Sequence, residues 1–172
     1  MLACLALAVT GCARTPLISE HLPDRDAPSN VELHEVAFFP QDDFQCGPAA
    51  LATVLAWSGQ AVTPEELVPR VYLPARQGSL QPEIRATARY YDRLAYELDP
   101  RLTALLTELA AGHPVLVLQN LGIWRWPVWH YAVVVGFDAE RQQVILRSGT
   151  TERQVLSARR FLMSWARADA WA

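Results

Sequence analysis

Cysteine is scarce in this chain of 172 residues: there are three, Cys4, Cys12 and Cys46. An odd number at wide, irregular spacing argues against a disulfide framework, and without a CxxC pair or Cys/His cluster there is no zinc signature. Basic blocks are missing too. At a net charge of −3 the chain lacks the electrostatic footprint of a nucleic-acid binder. Repeats and low-complexity segments are absent. What is present, 51% hydrophobic and 19% charged residues, is the composition of one globular domain with a sizeable core.

The N-terminal apolar run, "MLACLALAVTGC", falls well short of the ~20 residues that span a bilayer. It ends in small residues, as the hydrophobic region of a signal peptide does. Val9-Thr10-Gly11-Cys12 resembles the bacterial lipobox, in which cleavage precedes a cysteine carrying a diacylglycerol thioether. The resemblance implies a signal peptide over 1–11, lipidation at Cys12, and, from Ala13 in place of Asp, the outer membrane facing the periplasm. Cys46 would then be the one free thiol. No Lys or Arg precedes Arg14, so the positive start of a signal peptide is lacking, and a short apolar tail is the other reading. Residues 12–30, polar and proline-bearing, read as a tether; 31–172 read as the domain.

Val31–Phe39 alternates in part and predicts a strand. From Gly47 the signals turn helical. Pro48 suits a first helical position, the run through Trp57 is apolar on every face, and Gly59 fits a stop. A helix of that kind is buried. Thr63-Pro64-Glu65-Glu66 opens a helix to about Val71, Ser79 can cap another over 80–91, and 102–111 is amphipathic. Leu94–Leu98 is a short strand candidate. Then the period changes. "HPVLVLQNL", "WHYAVVVGFD", "QVILRS" and "RQVLSA" read as strands with short polar connections, and a helix over 158–168 closes the chain. Helices followed by an antiparallel sheet make the segregated α+β pattern.

Cys46 stands about two residues ahead of Pro48, where free backbone N–H groups converge and a thiolate is stabilised. Alone, such a cysteine is more often a small buried hydrophobe. A base decides. Of the four histidines, His21 lies in the tether, His34 has polar neighbours and His113 precedes a proline at a turn. His130 alone begins a long apolar strand.

"PQDDFQCGPAALATVL" followed much later by "WHYAVVVGFD" resembles the C39 and C39-like cysteine peptidases, papain-like domains that include double-glycine leader peptidases. The resemblance covers roughly Phe38 to Ser148. It implies a papain-like cysteine peptidase fold, a buried nucleophile helix packed on a C-terminal antiparallel sheet, and a peptide or protein substrate. It implies no metal or organic cofactor. Carried over by position, Cys46 is the nucleophile and His130 the general base and acid. Gln41, after Pro40, is the oxyanion donor, though one residue closer to the cysteine than is usual; Gln45 reads as surface. At the third catalytic position the family has Asp or Asn. Here "ILRSG" offers Ser148, for which a structural role is as well supported, and Asn120 on the preceding strand is another candidate. Asp138 is too far along its strand, roughly 26 Å from His130 at ~3.3 Å per residue.

"GIWRWPVWH" places Trp124, Trp126 and Trp129 just before the base, where they either line a peptide cleft or form a lid packed on the core. "LPARQGSLQ" (73–81) is a second loop that could border the cleft. Two further readings stay open: a non-catalytic peptide-binding scaffold, and another acyl-transfer activity such as amidase or transglutaminase.

Overall fold

The computed structural model describes residues 18–24, 26–41 and 45–172. The signal-peptide reading and Cys12 lie outside the described residues.

Helix α1, Cys46–Trp57, is the central element, with Gly47 to Thr53 and Leu55 buried as its all-round apolar sequence requires. It starts earlier than Pro48 suggests. Its first backbone bond runs from the Ala49 N–H to the Gln45 carbonyl at 3.2 Å, which makes Cys46 the first helical residue. Pro48, two residues in, costs no bond there because first-turn N–H groups have no intrahelical partner. Helix α2, Pro64–Val71, opens with a capping box: Glu66 N–H donates to Thr63 Oγ1 at 3.4 Å and Thr63 N–H to Glu66 Oε2 at 2.8 Å. Helix α3, Gln81–Tyr90, is not capped by Ser79; its N-cap is Leu80. Ser79 presses on α1 instead. A Cβ added to Gly47 would lie 2.2 Å from Ser79 Oγ, so glycine there is what lets the 73–80 loop close over the start of α1.

Five antiparallel strands follow the pattern read from the sequence: β1 Asn30–Glu32, β2 Val115–Asn120, β3 Trp129–Asp138, β4 Gln143–Ser148 and β5 Thr151–Ser157. β3 is the centre. β2 pairs with its first half (Asn120↔Trp129 to Val115↔Val134) and β1 with its last residues, both on the edge opposite β4. Both faces of β3 are buried. On one, Tyr131, Val133 and Val135 meet α1 through Leu51 and Leu55. On the other, Ala132 and Val134 meet α4 (Leu102–Ala110) and α5 (Ala158–Ala166) through Leu105, Leu109, Phe161 and Trp165.

Three expectations are corrected. The strand expected over Val31–Phe39 stops at Glu32, because beyond it the backbone is held by a side chain. Buried Arg147 donates to the carbonyls of Val36 (Nε, 3.2 Å), His34 (Nη2, 3.4 Å) and Glu152 (Nη1, 2.8 Å). Leu94–Leu98 is no strand: Leu94 is exposed, and Leu98 N–H alone reaches a neighbour, the Ala172 carbonyl at 3.1 Å. Within the segment read as a tether, Ile18 is packed. That residue is fully buried against α4, and its N–H donates to Gln142 Oε1 at 3.0 Å.

Candidate active site

Cys46 owes its place to two neighbours. α1 packs on β3, and pairing between β3 and β4 ends at Val133↔Arg147, so Tyr131 lies past the ladder. The backbone N–H groups of Tyr131, Gly47 and Cys46 itself all favour the sulfur's anion, yet burial outweighs them and pushes the thiol above its ordinary pKa. This corrects the expectation of a depressed thiol. The start of the helix does act as foreseen, but desolvation is larger.

His130, the residue before Tyr131, alternates onto the other face with Ala132 and Val134. Its Nε2 lies 2.9 Å from Ser148 Oγ. Burial alone pushes the imidazole below its ordinary value; no carboxylate contributes. Burial thus favours the neutral form of each group. Ser148 is buried at the end of β4, ahead of Gly149, whose φ of +58° turns the chain into β5.

The Gly149 carbonyl accepts the Gln41 N–H at 3.1 Å. The segment expected to carry the oxyanion donor is therefore tied to the residue after Ser148, and Arg147 holds the same segment further back at His34 and Val36. One three-residue stretch of chain, 147–149, thus fixes Gln41 on one side and His130 on the other. Gln45 is the N-cap of α1, and its side chain makes no capping bond.

Asn120 does not orient the base. Its Oδ1 accepts the N–H groups of Gly122 and Val128, each at 3.0 Å, and so clasps the loop between β2 and β3. That loop is a tight hairpin, with Ile123 and Trp126 bonded in both directions at 3.2 and 3.0 Å. A Cβ on Gly122 would sit 2.2 Å from the Trp126 carbonyl oxygen, so the closure needs glycine. The packed-lid reading of the tryptophans is excluded: Trp124, Trp126 and Trp129 are 92%, 70% and 55% exposed. Trp129 alternates with Tyr131 onto the α1 face, the side of Cys46. Asp138 is occupied at the far end of β3, paired with Arg141 at 2.7 Å. His34 is mostly exposed, and His113 pairs with Glu108 at 2.8 Å. Among the described residues no group of His, Cys, Asp and Glu is arranged to hold a metal ion.

Two features escaped the sequence reading. Arg147 could have been noticed as a charge inside a strand that is otherwise apolar. The clasp by Asn120 had no signal beyond an Asn closing a strand.

Residues 33–170 match the model of the Peptidase_C39 like family. No curated protein matches the sequence. Among solved structures, a protein from Bacillus anthracis described as a C39-like peptidase superposes with a TM-score of 0.67 at 17% identity, covering 83% of this chain and 94% of that one. The peptidase domain of Streptococcus ComA, a bifunctional ABC transporter involved in quorum sensing, gives 0.61 at 22% identity over 76% of this chain and 92% of its own. A double-glycine-motif protease from an AMS/PCAT transporter, solved with its leader peptide, gives 0.59 at 22% over 76% and 85%. At these identities the likeness is one of fold: mixed helix and antiparallel sheet, papain-like.

Proposed function

We propose that this chain, which belongs to the Peptidase_C39 like family, is a cysteine peptidase that hydrolyses peptide bonds through an acyl-thioester on Cys46. One observation carries the reading. A free thiol opens a buried helix and lies against the backbone N–H of Tyr131, the residue that follows His130 in β3, and the His130 ring meets Ser148.

With both groups neutral at rest, the thiol proton passes to His130 Nδ1 as the sulfur attacks the carbonyl carbon, while Nε2–H donates to Ser148 Oγ and fixes the tautomer. The oxyanion takes hydrogen bonds from the Cys46 N–H and the Gln41 side-chain amide. As the C–N bond breaks, the imidazolium gives its proton to the leaving amine. His130 then deprotonates a water, which attacks the thioester and releases the acid, and the proton returns to sulfur. The substrate lies between the 73–80 loop and the tryptophan hairpin, with Trp129 nearest Cys46 and Trp124 and Trp126 at the rim. Unbiased cleavage profiling tests this: new peptide termini made by the wild type and not by Cys46→Ala support it, and their absence opposes it.

We place the enzyme on a membrane through a lipid on Cys12. Ile18 is docked at the Gln142 end of β3, and the six peptide units from Cys12 reach it with at most ~3.6 Å each. The catalytic end of β3 lies roughly 30 Å away along the strand. An anchored chain therefore presents its site away from the lipid. Loss of fatty-acid label in Cys12→Ala is expected; retained label would refute the anchor.

A further inference from the structure

Glu66 and Glu83 hold the same place in their helices, the third position of the first turn, and behave differently. Glu66 reaches back to the Thr63 N–H at 2.8 Å, which is how an acid at that position is satisfied in a capping box. Glu83 makes no such bond to Leu80, the N-cap of α3. Its Oε2 is buried without a hydrogen-bond partner, and none of the ion pairs among the described residues includes it. The helix dipole accounts for an acid in a first turn. It does not account for a carboxylate oxygen turned inward with nothing to bond, which costs free energy until a donor meets it.

A second such atom lies close by. Ser79 Oγ is the other buried side-chain atom without a partner among the described residues. It sits over the residue after the proposed nucleophile, 2.2 Å from where a Cβ on Gly47 would stand. Tyr131 ties this stretch to Cys46. Its hydroxyl donates to the Ser79 carbonyl at 3.5 Å, and its backbone N–H faces the Cys46 sulfur. Burial raises the pKa of that hydroxyl, and the charges of Cys46 and Glu83 raise it further. Both orphaned atoms thus belong to the polar surroundings of Cys46, on the stretch where the 73–80 loop enters α3.

Glu83 is not sealed in. Its Oε1, equally without a bond, is not among the buried atoms, and the residue keeps partial exposure. A carboxylate only accepts, and a hydroxyl can accept as well. Such a pair suits a group that only donates: the ammonium of Lys or the guanidinium of Arg. We propose that Glu83, assisted by Ser79, is a specificity-determining residue that takes a Lys or Arg side chain of the substrate close to the bond that is cut. The proposal rests on the peptidase reading and adds a substrate class to it: peptides with a basic residue beside the scissile bond.

The test separates the two claims. Binding is measured on Cys46→Ala protein with two pools of synthetic peptides, all acetylated and amidated at their ends. One pool carries Lys at alternate positions; in the other each Lys is Nε-acetyl-lysine, which keeps the stem and loses the charge. The Lys pool should bind at least about tenfold more tightly. The gap should close when Glu83→Gln is added, while Glu83→Asp keeps part of it. Glu83→Gln keeps the side chain's shape and removes an unpaired charge, so its Tm should be unchanged or higher. Equal affinity for the two pools, or a gap that survives Glu83→Gln, overturns the subsite. A Tm that falls in Glu83→Gln overturns it too, since the carboxylate would then serve the fold. Turnover by the wild type reads the other claim: cleavage of both pools at equal rates refutes the subsite alone, whereas Glu83-dependent preference for Lys without Cys46-dependent cleavage refutes the peptidase reading alone.

Discussion

His130 Nε2 and Ser148 Oγ meet at 2.9 Å, and no carboxylate shifts the imidazole. A hydroxyl therefore orients the ring without charge to stabilise an imidazolium. Burial biases both Cys46 and His130 toward their neutral forms. Ser148→Ala should lower kcat/KM by about tenfold, near 1.4 kcal/mol, whereas Ser148→Asp should be tolerated and raise the pKa of His130. If Ser148→Ala leaves the rate and its pH profile untouched, the third position lies elsewhere.

The neutral resting pair has a pH signature. Because burial lowers the His130 pKa, the imidazole stays a competent base below the ~6.5 of a free histidine, so kcat/KM should hold to below that pH before falling. Because burial raises the Cys46 pKa, alkylation by iodoacetamide should climb with a midpoint above the ~8.5 of a free thiol. A reactive plateau below neutrality that disappears in His130→Ala would mean an ion pair at rest.

Gln41 is held by its backbone, through Gly149, which leaves its side chain for the oxyanion. Gln41→Ala should reduce kcat by about 10²-fold with KM little changed. A change in KM alone would make Gln41 a binding residue.

Trp124 and Trp126 are displayed, not packed. Trp124→Ala and Trp126→Ala should leave thermal stability within ~0.5 kcal/mol and raise KM. Asn120→Ala should raise KM too, but with a lower Tm, since two N–H groups lose a buried acceptor at about 1–3 kcal/mol. Unaltered KM in all three would remove the hairpin from substrate binding.

Much of this fold was legible because its signals are local. The all-apolar run after Gly47, the capping box at Thr63 and Glu66 and the alternation from Val115 onward each fix an element within a few residues. The pairing proposed for Cys46 and His130 rests on the family's motifs, since nothing local joins residues 84 positions apart. What escaped depends on contacts distant in sequence. Residues beyond Glu32 read as strand, yet their carbonyls are taken by Arg147, 111 residues away at Val36. Ser79 looked like a cap, but Gly47, lacking a Cβ, draws it to α1. The thiol's pKa was misjudged for the same reason: the helix start is visible in sequence, and the burial that outweighs it is not.

The central claim is a covalent acyl group on Cys46. Wild-type protein mixed with a cleaved peptide and quenched in acid, then digested and read by tandem mass spectrometry, measures it directly. The account predicts an acyl mass on the fragment containing Cys46, labile to hydroxylamine and absent from Cys46→Ala. Peptide products formed with no adduct at Cys46, or formed equally by Cys46→Ala, would contradict it.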